Sequence, residues 1–168
     1  MRVLIAGVGN VLRADDGFGV EVLRRLEQRL GSTAGVHFHE SGIAGIGLVQ
    51  ELVDGYDALI VLDALDRGAE PGTVFVVQPD VAALAAPGRL SEPVDPHQAG
   101  PEGVFRLAAA LGVLPRRVWL VGCQAAACDD LGAGLSGPVR RAIPAALERV
   151  YDILATLGTA ASEADGPV

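Results

Sequence analysis

An α/β domain is the fold class that the sequence predicts. Strand-like apolar runs alternate with amphipathic helical segments from end to end, and no repeat or low-complexity linker breaks the alternation. At roughly 150 residues per domain, 168 residues make one domain. A composition of 50% hydrophobic and 20% charged residues supplies enough apolar mass for a core, which excludes disorder as the main state.

In chain order, Val3-Leu4-Ile5-Ala6 is an apolar run closed by Gly7, the pattern of a parallel strand buried on both faces. The next segment is helical: Val22, Leu23, Leu26 and Leu30 share one face, opposite Arg24, Arg25, Glu27 and Arg29. Glu21 and Arg25 stand at i,i+4, and Asp15 and Asp16 are placed to cap the helix at its positive end. Val36 to Glu40 reads as a second strand, Ile46 to Val53 as a short helix, and Ala58 to Leu62 as the most hydrophobic strand, terminated by Asp63. The turn Arg67-Gly68-Ala69-Glu70-Pro71-Gly72 leaves no room for a helical crossover. Thr73 to Val77 is therefore expected to be an antiparallel hairpin partner of the preceding strand.

Pro79, Pro87, Pro93, Pro96 and Pro101 make the stretch between them mostly loop, and a long loop in a compact domain is usually functional. His97 lies in it. Glu102 to Leu111 reads as a helix and Val118 to Val121 as the final strand. Ser136 is placed to cap a long last helix running to about Leu157, with Pro144 expected to kink or break it. The expected domain is 1–157, with 158–168 as a frayed tail.

Charge and hydropathy narrow the function. Lys plus Arg total 13 against 21 for Asp plus Glu, and the net charge of −8 has the wrong sign for capturing nucleic acid or anionic lipid. It also fits docking on a basic surface, but ordinary solubility charge explains it better. Mean hydropathy is +0.37, yet no apolar run approaches the roughly 18 residues of a spanning helix. Gly7, Gly9, Arg13, Asp15 and Asp16 interrupt any signal-peptide pattern, so the N-terminus reads as the first strand of a cytoplasmic protein. Cys123 and Cys128 lack the C-x-x-C spacing of redox or zinc motifs and are expected to be reduced, partly buried thiols.

Gly7-x-Gly9 after the first strand invites a dinucleotide reading, with Glu40 where a ribose-binding acid would stand. Against it, Leu12 holds the place of the third glycine, and Asp15 and Asp16 would repel a phosphate at the helix start. His37 and His39 alternate on one strand face, but no acidic or Cys neighbour is expected to complete a metal pair, which favours ordinary strand histidines. Ser41, Ser91 and Ser136 sit in no nucleophile motif.

Sites in open α/β sheets form at the carboxyl ends of strands. Asp16 follows the first strand, Asp63 ends the third, and His97 lies on the loop after the fourth. Two carboxylates and one imidazole make a divalent-metal site with open positions, suited to a borderline metal such as nickel or zinc. Each residue alone has a plainer reading: a helix cap, a turn former and a solvated loop histidine. The combination favours the site.

The segment Gly7-Val8-Gly9-Asn10-Val11-Leu12-Arg13-Ala14-Asp15-Asp16-Gly17-Phe18-Gly19 resembles the signature G-x-G-N-x-L-x-x-D-[DE]-G-x-G of the hydrogenase maturation endopeptidases. Ile60-Val61-Leu62-Asp63-Ala64 is similar to that family's second motif and His97-Gln98 to its third. Val121-Gly122-Cys123-Gln124 with Leu135-Ser136 is similar to its last segment. The resemblance spans about residues 2 to 157. It implies a three-layer fold: a mixed, mostly parallel, five-stranded twisted sheet with helices on both faces, phosphorylase/hydrolase-like. It implies removal of a short C-terminal peptide from the nickel-loaded precursor of a [NiFe]-hydrogenase large subunit. Asp16, Asp63 and His97 then contact the metal and serve catalysis. The nickel is carried by the precursor, and zinc or cadmium could substitute for it in a purified sample. The sequence departs from the family pattern at Ala125-Ala126-Ala127-Cys128 and around Gly42-Ile43-Ala44-Gly45, loops expected to touch the partner. Competing readings are a metal-sensing maturation chaperone without catalysis and a nucleotide-binding α/β protein.

Overall fold

The structure, a computed structural model, describes residues 1–42, 46–86, 100–126, 131–132 and 134–159. Five strands, β1 (Val3–Val8), β2 (Val36–Gly42), β3 (Ala58–Leu65), β4 (Val74–Val77) and β5 (Arg117–Gln124), form one sheet in the order β2-β1-β3-β5-β4. The first four of these neighbours run parallel, and β4 closes the edge antiparallel to β5. The helices are α1 (Phe18–Leu30), α2 (Ile46–Leu52), α3 (Val81–Leu84), α4 (Pro101–Ala110) and α5 (Gly137–Thr156).

Alternation along the strands builds two cores. Val3 and Ile5 of β1 face α1 and α5 with Ile60 and Val121, while Leu4 and Ala6 face α2 and α4 with Leu59 and Val61. Residues 3–6 and 58–62 have no exposed surface, as parallel strands covered on both faces require. The result is the expected three-layer architecture. Among the described residues no helix is long and apolar enough to cross a membrane.

Several local expectations need correction. Asp63 does not terminate β3: the strand continues through Ala64 and Leu65 because β5 extends alongside, pairing Asp63 with Gly122 and Leu65 with Gln124. β4 is antiparallel, but its partner is β5 and not β3, with Val74 opposite Cys123 and Val77 opposite Leu120. Both edges of β3 are already filled by β1 and β5. Pro144 does not break α5, which runs on from Gly137 to Thr156. Pro144 is exposed, so the carbonyl its missing N–H leaves unpaired can turn to solvent. Asp15 and Asp16 are not caps of α1. They belong to a 3-10 turn, Ala14–Gly17, and Gly17 takes the N-cap position. Ser136 is the N-cap residue of α5, but its side chain makes no cap bond because its hydroxyl is committed to Asp15. At the other end, order continues past Leu157: the N–H and hydroxyl of Thr159 both donate to the Leu154 carbonyl. The rest of the expected tail, from 160, lies outside the described residues.

Candidate active site

The strand order reverses between β1 and β3, since the chain leaves β1 toward β2 and returns on the other side to β3. That reversal opens a crevice at the strands' carboxyl ends. The segment after β1 fills one wall of it through a chain of short-range constraints. Gly9 has φ +122°, and a side chain there would put Cβ 1.9 Å from the Asp16 carbonyl oxygen. Asn10 donates its N–H to Asp16 Oδ2 at 2.9 Å and accepts from the Leu12 N–H through Oδ1 at 2.9 Å. The glycines of this segment thus let the loop fold against its own helix, which is a different use from cradling a pyrophosphate.

Asp15 and Asp16 are consecutive but serve different neighbours. Asp15 is fully buried. It accepts from the Ser136 N–H at 2.7 Å, the Ser136 hydroxyl at 2.9 Å and the Ala126 N–H at 2.8 Å, which ties the 3-10 turn to the loop between β5 and α5. Asp16 lines the crevice instead. Asp16 and Asp63 share one cavity of about 360 Å³ with Gly9, Arg13, Asp66 and Phe105.

Asp63 is 6% exposed. Burial first and the Asp16 charge second push its carboxyl up to about 8, against a smaller opposing effect of the Ala64 backbone N–H. The negative charge of Asp16 thus works against ionisation of Asp63. A cation entering the cavity would displace the Asp63 proton and relieve both causes of the shift.

The structure brings Asp16 and Asp63 together as the sequence suggests, and His97 lies outside the described residues. Among the described residues, no group of three His, Cys, Asp or Glu side chains could hold a metal ion. Asp66 was missed in sequence, and Gln124 stood there only as part of the last family-like segment, with no role assigned to it. Asp66 lines the cavity, and Gln124 organises the turn that carries it. The buried Gln124 amide accepts from the N–H groups of Arg67 at 2.8 Å and Ala69 at 3.3 Å and donates to Asp66 Oδ1 at 3.2 Å. Gln124 and the Gly68 N–H hold the Asp66 carboxyl below the ordinary carboxylate range. The signal available was a polar residue ending an otherwise apolar strand.

Other candidates resolve away from the cavity. Glu40 pairs with Arg24 at 3.1 Å, which occupies the acid that a ribose would need. His39 does have an acidic neighbour, contrary to expectation: Nδ1 is 3.8 Å from Glu51 of α2, which also accepts from the Tyr56 hydroxyl. His37 meets the Tyr56 ring edge-on at 5.4 Å. Helix α2 supplies Glu51, a contact invisible along the strand itself. Cys123 is free and buried, its thiol pushed up to about 11 by burial and then by Asp15, which disqualifies it as a nucleophile. Cys128 lies outside the described residues.

A family model described as hydrogenase maturation protease matches residues 20–153. The chain belongs to that family. It is 39% identical over 160 residues to the hydrogenase expression/formation protein HupD of Rhizobium leguminosarum bv. viciae, covering 95% of this chain and 77% of the relative. It is 31% identical to the hydrogenase 2 maturation protease of Escherichia coli K12, over 96% and 95% of the two chains. The structure of the hydrogenase maturating endopeptidase HybD from E. coli superposes with a TM-score of 0.77 at 30% identity, over 94% of each chain. This hydrogenase maturation endopeptidase is therefore a hydrolase of peptide bonds, on the mixed five-stranded α/β fold of its relatives.

Proposed function

We propose that this maturation endopeptidase removes a short C-terminal peptide from the nickel-loaded precursor of a [NiFe]-hydrogenase large subunit, with the nickel as part of the substrate. The observation that carries this reading is that Asp16 and the buried Asp63 line one cavity at the reversal of strand order. Such a site favours a cation delivered from outside, which would offset the repulsion between the two carboxylates. Asp16, Asp63 and His97 would contact that metal. Held there, the precursor has its C-terminal peptide bond fixed beside a water, so positioning and charge stabilisation supply the rate enhancement. No acyl-enzyme is needed. Asp16 or Asp63 could take the proton from water, but a cation against either carboxylate lowers its basicity, which favours metal contact as the main role.

Intact-mass measurement of a nickel-loaded precursor incubated with the protein tests this directly. A nickel-dependent loss of a C-terminal peptide is expected, and Asp16→Asn and Asp63→Asn should each abolish it. Complex formation with no change in mass, for every precursor of the source organism, would instead identify a metal-sensing chaperone.

A further inference from the structure

The signature loop does more than carry Asp16. Leu12 is 65% exposed and Val11 41%, while Leu131, from the loop between β5 and α5, is 79% exposed. The two loops are stitched together: Arg13 and Leu131 form an antiparallel bridge, and the Gly132 N–H donates to the Leu12 carbonyl at 3.0 Å. Asp15 adds a second tie through Ala126 and Ser136. Leu12 and Leu131 are thus presented on a braced ridge and not on independent loops. Bracing removes much of the ordering cost that a protein contact would otherwise meet.

The ridge adjoins the Asp16/Asp63 cavity through Arg13, which lines it. On its other side lies a hollow of about 210 Å³ lined by Val11 and Leu135 with Arg24, Arg25 and Arg140. Arg24 and Arg25 are paired with Glu40 and Glu21. Arg140 donates to the Leu135 carbonyl, a neutral partner, and among the described residues no ion pair with a carboxylate is found for it.

We infer that the Val11–Leu12–Leu131 ridge is the docking anchor for the metal-loaded precursor, engaging an apolar patch on that protein with an acidic group beside it to meet Arg140. The inference rests on the proposed function for its partner. A folded protein that delivers a bound metal to Asp16 must approach across the loop that holds Asp16, and Leu12 is part of that loop. Apolar side chains buried at such a centre dominate the affinity of an interface.

The test uses the full chain and a nickel-loaded precursor, with Leu12→Ser, Leu131→Ser and Asp16→Asn compared with the wild type in cleavage kinetics and in direct binding of the precursor. Each leucine variant should raise KM and the dissociation constant about tenfold or more, leave kcat at saturation within about twofold, and keep the wild-type melting temperature. Asp16→Asn should still bind while losing cleavage. If the wild type cleaves and both leucine variants bind and cleave with unchanged constants, the ridge is not the anchor and the proposed function stands. If the wild type binds without cleaving and the leucine variants lose binding, the ridge stands and the endopeptidase reading falls. A wild-type dimer that Leu131→Ser converts to monomer with unchanged KM would assign the ridge to self-association and overturn the inference.

Discussion

Asp15 gives its carboxylate oxygens to donors far away in the chain, the Ala126 N–H and both donors of Ser136, from a position with no exposed surface. Asp15→Ala leaves those donors unmet in the interior, and urea unfolding should show a loss of about 2 to 4 kcal/mol. Asp63 presents the opposite case, a group that costs stability. Its folded carboxyl titrates near 8, above the ordinary 3.8. The stability linked to its proton is complete below about pH 3.8 and is lost as pH rises through about 8. The expected slope is at most about 1.4 kcal/mol per pH unit across that window. Asp63→Asn should flatten this loss and melt higher than the wild type at pH 8, measured by thermal unfolding without metal. The sequence made Asp16 and Asp63 legible because each is an acid standing at or after an apolar strand run, on the carboxyl side where sites form. The division of labour between Asp15 and Asp16 was not legible, because it depends on Ser136, which no local spacing relates to them.

At the level of elements, the approach of α1 to the sheet sets the geometry of the cavity wall. A Cβ on Gly19 would lie 2.1 Å from the Leu62 carbonyl oxygen and 2.5 Å from that of Val8. Gly19→Ala must therefore push α1 away from β1 and β3 beside Asp63. We expect a loss of about 3 kcal/mol in denaturant unfolding and impaired cleavage that saturating precursor does not restore. Periodicity made α1, α4, α5 and the buried strands readable, since a parallel sheet covered on both faces writes itself as unbroken apolar runs. The partner of β4 was beyond that reading. Closeness along the chain favoured β3, but β3 had no free edge, and sheet order is decided by edge availability, which periodicity does not encode. The extension of β3 past Asp63 escaped notice for the same reason: its last residues are held by β5, a strand that arrives much later.

For the molecule as a whole, the net charge of −8 and the apolar ridge make different demands on salt. If apolar burial anchors the precursor, raising salt from roughly 0.05 to 0.5 M should change KM by less than about threefold, whereas long-range steering by the acidic surface would change it far more. Steady-state cleavage across that series distinguishes them. The tie between Asp15 and Ser136 spans a sequence separation of 121 residues. In terms of synthesis, the motif that carries Asp16 leaves the ribosome well before Ser136, but it can reach its braced form only after Ser136 has emerged. A nascent or truncated chain ending before that point would hold both carboxylates without the support that positions them. That motif is thus completed long after it is made.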